Sequence, residues 1–505
     1  MQVVAQKGTM TSLKDAVAVV AISPALLKRE KRTPAPSAGS TFAHLNKSLD
    51  GALLKRLRDH KVEISKGGAF WLPAISGLPV SGVQLVGWQE NKKESVLERF
   101  ELCRKIGVAT IDAARKVKAA SISICIDDFD LRTEDQIRAL CEGLWLANYQ
   151  FSEFKKKDSN AYNGPSKVTL LGTRAPSPAV LEVARVYCQA TILARDLINL
   201  PPNHCTPTVL MQQAKKVARR GALSFKAYDL RALKKMKAGA LLAVAQGSEE
   251  PPYLLRLSYK PKRVTNKKVI ALVGKGVTFD SGGLSIKTGS GMETMKCDMS
   301  GAAAVIATMQ AVATLKPGIE IRAYVPTTEN MINGVATRPG DVVRAMSGKT
   351  IEILNTDAEG RLILADALHL AQQDKCDVII DLATLTGACM VALGTDYAGL
   401  FSNNDGLTQR LQSAGDRAGE RLWRMPLAKE YKNWIKSPVA DIKNIGKSFG
   451  GAITAALFLE EFIGEVEWAH LDIAGPAFVD GESGYIKRGG VGFGVRTLLN
   501  YLRSL

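Results

Sequence analysis

The stretch TIEILNTDAEGRLILADAL, residues 350–368, contains the change of pattern that decides the fold class. Its first five residues are mostly β-branched or apolar and predict a buried strand, and its last seven are strong helix formers. Between these two parts, Asp357, Glu359 and Arg361 alternate with small residues. A strand that passes through a short polar segment into a helix is typical of an α/β protein, in which ligands bind at such strand ends.

The two carboxylates of this segment repel one another unless a cation or protons neutralise them. Taken alone, the pattern D-x-E-x-R fits a solvated loop with a helix cap as well as it fits a ligand site. The rest of the chain has to decide between these two interpretations.

A second polar cluster upstream favours the ligand site. Residues 269–273 predict another buried strand, followed by GKGVTFDSGGLSIK (274–287) and by MKCDMSG (295–301) ahead of an alanine-rich helix. Together the two clusters supply four carboxylates, two lysines and an arginine on glycine-rich backbone. Oxygen-rich ligand sets suit hard or borderline divalent cations, and shared carboxylates suit a two-metal site.

The motifs GKGVTFDSGGLSIK, MKCDMSGAAAV and NTDAEGRL resemble the signatures of the leucyl aminopeptidases, the M17 metallopeptidase family. The likeness continues through ARDLINLPPNHCTP (194–207), DLATLTGA (381–388) and WAHLDIAG (468–475). It is dense from residue 194 onward and looser before it. The resemblance implies a metalloexopeptidase that hydrolyses N-terminal residues from peptides.

The resemblance also implies five metal ligands: Lys275, Asp280, Asp298, Asp357 and Glu359. One ion would take Asp280, Asp357 and Glu359, the other would take all of the five except Asp357, and Asp280 and Glu359 would bridge. The two ions of each subunit would be Zn²⁺ or Mn²⁺, with Co²⁺ and Mg²⁺ as further candidates. A lysine ligates only as the neutral amine, so the ion must depress its pKa. The alternative for Lys275, a phosphate-loop lysine, lacks the spacing G-x-x-x-x-G-K-[ST].

Two further residues receive catalytic roles from the resemblance. A hydroxide bound by both ions would be the nucleophile. Lys287 is similar to the family lysine that stabilises the negative charge developing on the scissile carbonyl. Arg361 is similar to the family arginine that binds a bicarbonate ion, which an arginine fork matches bidentately.

Substrate preference is implied by four residues that match the family's first side-chain pocket: Met295, Thr384, Gly387 and Ala474. Methionine is apolar and adaptable, and glycine leaves space, so leucine-like side chains with broad tolerance are expected. Each residue also fits an ordinary core position, and for Ala474 that alternative weighs as much as the pocket.

Other hydrolase chemistries leave weaker signals. The five histidines include no H-E-x-x-H, which excludes a zincin-type peptidase. GKSFG (446–450) matches the G-x-S-x-G elbow of serine hydrolases with Ser448 as the nucleophile. The mixed polar segment before it does not predict a buried strand, so we interpret it as a glycine-rich loop near the substrate cleft. The eight cysteines contain no C-x-x-C pair and favour a reducing cytosol.

The length of 505 residues exceeds one typical core, so two domains are expected. We predict a smaller N-terminal α/β domain at 1–178, a linking helix at 179–200, and a catalytic domain at 201–505 with a mixed sheet covered by helices. No apolar run approaches a membrane span and the N-terminus lacks a signal-peptide pattern, which predicts a cytoplasmic protein without membrane contact.

The net charge of +18 leaves two interpretations open. The simpler one is a solvated, soluble surface. The other is contact with a polyanion, which would make the chain a nucleic-acid-binding protein through its basic surface, in addition to or instead of an enzyme. No recognised nucleic-acid motif is present. By resemblance to the family, the assembly would be a homohexamer, a dimer of trimers.

Overall fold

The computed structural model describes residues 1–8, 17–28, 40–73, 80–89, 93–156, 161–221 and 223–505. The chain forms two compact units. The first comprises Met1–Cys188 with Glu482–Lys487, and the second comprises Gln189–Gly481 with Arg488–Leu505. The domain limits drawn from the sequence stay predictions.

The first unit is built on a six-stranded sheet. Its strands are β1 Gln2–Lys7, β2 Val17–Ile22, β3 Ala69–Pro73, β4 Gly82–Gly87, β5 Ser121–Cys125 and β6 Lys167–Gly172. The order is β1-β6-β5-β2-β4-β3, and all neighbours are parallel except β3 with β4. β2 is buried at every position, which explains its continuous apolar sequence VAVVAI. The helices are α1 Thr41–Ser48, α2 Ala52–Asp59, α3 Val96–Val117, α4 Glu134–Ala147 and α5 Pro178–Asn199, the last of which continues into the second unit.

The second unit contains a larger mixed sheet and two small ones. Its strands are β7 Ser224–Tyr228, β8 Tyr253–Tyr259, β9 Val269–Gly274, β10 Gly276–Asp280, β11 Glu320–Asn330, β12 Val342–Arg344, β13 Thr350–Glu352, β14 Val378–Ala383, β15 Tyr397–Ser402, β16 Arg421–Arg424, β17 Ile442–Lys443, β18 Glu467–Asp472, β19 Phe478–Val479 and β20 Gly489–Gly490. The large sheet has the order β16-β15-β18-β14-β9-β11-β8-β7, with β10 paired to β11. The predicted α/β class with a mixed sheet is confirmed.

Helices cover this sheet. They are α6 Pro207–Gly221, α7 Leu230–Lys235, α8 Gly239–Ala245, α9 Gly289–Met292, α10 Ser300–Leu315, α11 Glu359–Gln373, α12 Gly387–Leu393, α13 Asp405–Ala418, α14 Gly451–Glu460 and α15 Val495–Arg503. Apolar residues of α8, α11 and α14 share one core cluster with residues of β9 and β14.

The central strands of the large sheet bring the polar motifs to one edge. β18, β14, β9 and β11 are mutually parallel, so their carboxyl ends lie side by side. Lys275 follows β9, Asp280 ends β10, Thr384 follows β14 and Asp472 ends β18. The sheet thereby places ligands at the carboxyl ends of its strands, as open α/β sheets generally do.

The strand before the NTDAEGRL motif differs from its prediction. β13 covers three residues of the predicted strand 350–354 and pairs with β12 and β17 in a small separate sheet, so a strand forms there but the prediction that it is fully buried was wrong. The reason is visible in the burial pattern. Ile351 and Ile353 are buried whereas Leu354 is exposed, which is the alternation of a half-buried strand.

One helical stretch of the described chain, Gly289–Leu315, is long and apolar enough to cross a membrane by composition alone. However, 78% of its most apolar window is buried within the fold. Such burial is typical of the core helix of a globular unit.

Candidate active site

The five residues predicted as metal ligands come from three segments of the chain and meet in one place, where all but the partly exposed Asp357 are buried. Lys275 lies between β9 and β10, and Asp280 is the last residue of β10. Asp298 lies on a 3-10 helix just before α10, Asp357 lies in the loop before α11, and Glu359 is the first residue of α11. Carboxylate oxygens of Asp280, Asp357 and Glu359 all lie within 4.8 Å of one another.

Lys275 links two of these carboxylates. Its Nζ lies 2.7 Å from Asp298 Oδ1 and 2.8 Å from Glu359 Oε1, and it donates a hydrogen bond to the Thr384 carbonyl at 3.0 Å. The side chain is buried, which lowers the pKa of the ammonium group, but the negative charges of Asp298 and Glu359 outweigh burial and raise the pKa above its ordinary value. Lys275 is therefore held as a charged ammonium group by its ion pairs with Asp298 and Glu359.

Lys287 provides the second cationic group. Its Nζ lies 2.9 Å from Asp280 Oδ2 and also pairs with Asp357. Burial lowers the pKa of this lysine, whereas the two carboxylates raise it by more. Its side chain is 19% exposed, in contrast to 4% for Lys275. Lys287 is thus the cation of the cluster that solvent reaches.

The carboxylates carry more negative charge than the lysines balance. Burial is the main cause that raises the pKa of Asp298, Asp357 and Glu359, and the negative charge of the neighbouring Asp280 raises the pKa of all three further. Among the described residues, no hydrogen-bond partner is found for Asp298 Oδ2 or Glu359 Oε2. Buried oxygens without a partner are costly. Hard oxygen donors with surplus charge therefore fit divalent cations.

A second layer of residues orients Asp280. Asn330 Nδ2 donates to Asp280 Oδ1 at 2.8 Å and to the Thr356 carbonyl at 3.0 Å. The Gly282 N–H also donates to Asp280 Oδ1, at 2.9 Å. Gly282 has a φ of +85°, and an added Cβ would lie 2.5 Å from the Ser285 carbonyl oxygen, so only glycine fits there.

Arg361 is buried in the first turns of α11 without a carboxylate partner among the ion pairs of the described residues. Its Nη1 donates to the Asn444 carbonyl at 2.7 Å, whereas no partner is found for its Nε among those residues. Burial lowers the pKa of its guanidinium to about 10. The Asn444 side chain accepts from Leu354 N at 2.9 Å and donates to the Asn355 carbonyl at 2.7 Å, which ties the motif segment to the loop after β17.

Asn330, Asn444 and Asp472 were not assigned to the site from the sequence. Neutral asparagines within mixed segments give no local signal of contact with a carboxylate or a guanidinium. Asp472 does give a sequence signal, because it ends an apolar strand and a buried carboxylate is almost always paired with a binding group.

Two of the four predicted pocket residues are connected with the carboxylate cluster through Asp298. Thr384 donates from its hydroxyl to Asp298 Oδ1 at 2.8 Å, and Met295 is the first residue of the 3-10 helix that carries Asp298. Gly387 begins α12, and an added Cβ there would meet open space. The Ala474 N–H donates to the carboxylate that ends β18. The residue after β14 and the 3-10 helix before α10 thus meet at Asp298, whereas Ala474 contacts the carboxylate of Asp472.

Ser448 does not occupy a nucleophile elbow. Its side chain is exposed, and the strand before it, β17, has two residues and belongs to a small sheet. A nucleophile elbow requires a sharp turn directly after a buried strand. This agrees with the interpretation of 446–450 as a glycine-rich loop.

Comparisons with known proteins agree with this architecture. Residues 16–158 match the N-terminal domain and residues 192–499 the catalytic domain of the cytosol aminopeptidase family. A probable cytosol aminopeptidase of Cyanothece sp. is 41% identical over 465 residues, which cover 92% of this chain and 93% of that protein. A mutant of tomato leucine aminopeptidase has a TM-score of 0.87 at 34% identity, covering 100% of this chain and 97% of that one. The bottromycin maturation enzyme BotP in complex with Mn has a TM-score of 0.82 at 32% identity, covering 97% and 99%.

The fold and the carboxylate cluster define a metal-dependent exopeptidase, a hydrolase that removes residues from the N-terminus of peptides. The chain belongs to the cytosol aminopeptidase family, M17. Enzymes of this family use two metal ions, and the carboxylate cluster of this chain fits divalent cations.

Proposed function

We propose that the protein releases leucine-like N-terminal residues, with broad tolerance for other side chains, from peptides by two-metal catalysis. The observation that carries this proposal is the buried set of carboxylates around Asp280, whose charge exceeds that of the nearby lysines. Such a set is unfavourable in a fold unless cations bind it.

The proposed ligands are Lys275, Asp280, Asp298, Asp357 and Glu359, with Asp280 and Glu359 shared between the two ions. Zn²⁺ and Mn²⁺ are the favoured pair, with Co²⁺ and Mg²⁺ as alternatives. Bound ions would lower the pKa of a coordinated water and polarise the peptide carbonyl. A dication at these carboxylates also reverses the electrostatics at Lys275, because it penalises the ammonium form and favours the neutral amine that can ligate.

Lys287 and Arg361 are the proposed catalytic residues. Lys287 is the partly exposed cation of the cluster, so its ammonium group can approach a substrate carbonyl whose oxygen becomes negative in the transition state. Arg361 has a guanidinium that no carboxylate engages among the described ion pairs, which leaves its fork for a planar anion. We propose bicarbonate as that anion, with the role of accepting and returning a proton.

The pocket for the N-terminal side chain is proposed to include Met295, Thr384, Gly387 and Ala474. Open space over Gly387 supports the broad tolerance. The family relationship supports a homohexamer, a dimer of trimers, and a cytoplasmic location. Binding of nucleic acid through the basic surface stays a prediction of the net charge.

The decisive experiment is hydrolysis of leucyl-p-nitroanilide before and after dialysis against a chelator. Activity should disappear with the metal and return when Mn²⁺, Zn²⁺ or Co²⁺ is added, and N-acetylation of the substrate should prevent hydrolysis because the free amine is lost. Ser448→Ala serves as the control and should behave as the wild type. Full activity in a metal-free preparation would refute the proposal.

A further inference from the structure

The carboxylate of Asp472 organises the loop that borders the metal site, although it is not one of the proposed ligands. Asp472 ends β18 and is buried. Its Oδ1 accepts hydrogen bonds from the N–H groups of Leu385 at 3.2 Å, Thr386 at 3.4 Å and Ala474 at 3.2 Å. Its Oδ2 accepts from the Thr386 hydroxyl at 2.7 Å. The Asp472 side chain thus forms hydrogen bonds with both the segment after β14 and the segment after β18 and helps to hold the two together.

Thr386 extends this arrangement into α12. The same hydroxyl that donates to Asp472 accepts from the Cys389 N–H at 3.0 Å, which caps the N-terminus of the helix. Helix caps of this kind stabilise the first turn of a helix. The orientation of α12 therefore depends on the contact between Thr386 and Asp472.

The fixed loop touches the metal site on its other side. Thr384 lies two residues before Thr386, and its carbonyl accepts from Lys275 Nζ at 3.0 Å. Its hydroxyl donates to Asp298 Oδ1 at 2.8 Å. A displacement of the loop would therefore change its contacts with two proposed ligands, Lys275 and Asp298.

Three of the four proposed pocket residues lie at or beside a donor to this carboxylate. Ala474 donates directly, Thr384 precedes the donor Leu385, and Gly387 follows the donor Thr386. These residues come from two different strand ends, so their spacing is not fixed by the chain itself. The Ile473 N–H also joins the two segments by donating to the Ala383 carbonyl at 2.8 Å. Beyond that backbone contact, the Asp472 carboxylate supplies three hydrogen bonds between the segments, from Leu385 N, Thr386 N and the Thr386 hydroxyl.

We infer that Asp472 is a positioning residue that sets the width of the pocket for the N-terminal side chain, and with it the preference among side chains. This inference rests on the proposed function. An apolar pocket distinguishes side chains that differ by one methylene group by roughly 10–200-fold, and it does so only while its walls keep their spacing. The carboxylate acts through the loop and does not touch the reacting atoms.

The test compares kcat/KM for leucyl- and alanyl-p-nitroanilide in Asp472→Ala, Asp472→Asn and Thr386→Val. We expect Asp472→Ala and Thr386→Val to lower the leucyl-to-alanyl ratio by about tenfold, chiefly through a higher KM for the leucyl substrate. Asp472→Asn should restore most of the ratio, because the amide keeps the shape and the Thr386 hydroxyl can rotate to accept from it.

Thr408→Val is the matched control. Thr408 is also a buried threonine; it lies on α13, and its hydroxyl donates to the carbonyl of Asn404, the N-cap residue of that helix. This variant should keep the wild-type ratio. Metal content, measured by mass spectrometry, should stay at two ions per chain in Thr386→Val.

The outcomes distinguish a failure of the proposed function from a failure of the inference about Asp472. A wild type that hydrolyses neither substrate contradicts the proposed function. An active wild type whose Thr386→Val and Asp472→Ala variants lose both activities equally would show that Asp472 only stabilises the fold, and the inference would be wrong. If Asp472→Ala does not fold, the ratio in Thr386→Val decides.

Discussion

The Lys287→Ala variant should keep its metal ions and lose about 10²–10³ in kcat, equivalent to about 2.7–4 kcal/mol of transition-state stabilisation. The ammonium group lies 2.9 Å from Asp280 Oδ2. At this distance two unit charges interact by about 6 kcal/mol with an effective dielectric constant of ~20. Lys287 thus competes with metal ions for the carboxylates, and its removal should not weaken metal binding.

The kinetic loss should fall on kcat because the charge that Lys287 stabilises develops only in the transition state. The assay is steady-state hydrolysis of leucyl-p-nitroanilide, with metal content measured on the same samples. Lys268→Ala is a suitable control, since Lys268 pairs with Glu467 at a partly exposed position. Both residues lie at the amino ends of β9 and β18, opposite to the carboxyl ends that carry the site. An increase in KM at unchanged kcat, or loss of metal from Lys287→Ala, would refute the assigned role.

Four further variants test the remaining groups. Asp357→Ala and Glu359→Ala should lose metal and activity together, because each removes an oxygen from the carboxylate cluster; metal analysis measures this. Arg361→Ala should keep its metal but lower kcat, and added bicarbonate should accelerate bicarbonate-depleted wild type far more than the variant. Asp366 is buried, and burial raises its pKa to about 7, so its ionisation destabilises the fold as the pH rises from about 4 to 7. The free energy of unfolding of the wild type minus that of Asp366→Asn, measured with urea, should therefore be larger at pH 5 than at pH 7.

Each of these expectations has a contrary result. Asp357→Ala or Glu359→Ala with full metal occupancy would remove that residue from the ligand set. Equal rates of the wild type with and without bicarbonate would leave Arg361 as a structural or electrostatic group. If the difference in unfolding free energy between wild type and Asp366→Asn is constant with pH, the carboxyl group does not titrate in this range. The loss of stability in the variant would then come only from the hydrogen bonds that Asp366 accepts from the Leu241 and Met346 N–H groups.

Local patterns were sufficient for much of the fold. The continuous apolar run at residues 17–22 predicts a strand, and β2 forms there. Helix-forming runs at 97–119 and 133–149 predict two helices, which form within about two residues of these limits as Val96–Val117 and Glu134–Ala147. Capping boxes at Ser95 and Thr133 explain why both helices begin where the pattern places them. The pattern of apolar residues that indicates a buried strand or an amphipathic helix lies within neighbouring residues, so both elements can be predicted from the sequence.

The chemistry of the site was also present in the sequence, because it depends on residue types at short spacings. Lys275, Asp280 and Lys287 lie within one glycine-rich segment, and Asp357 and Glu359 lie within another. The structure gathers them, although their individual roles stay predictions. The strand before the second segment was predicted too long, because a half-buried strand and a fully buried one share the same β-branched composition.

Contacts between segments far apart in the chain were decided only by the tertiary structure. Asn330 meets Asp280 across 50 residues, and Asn444 meets Arg361 across 83. Asp472 meets Thr386 across 86. Nothing near these residues in sequence reveals such partners, because the strand register and the convergence of strand ends at one edge of the sheet set which side chains touch. The sequence by itself determined which groups can bind and react, whereas the packing of the sheet determined how they are held.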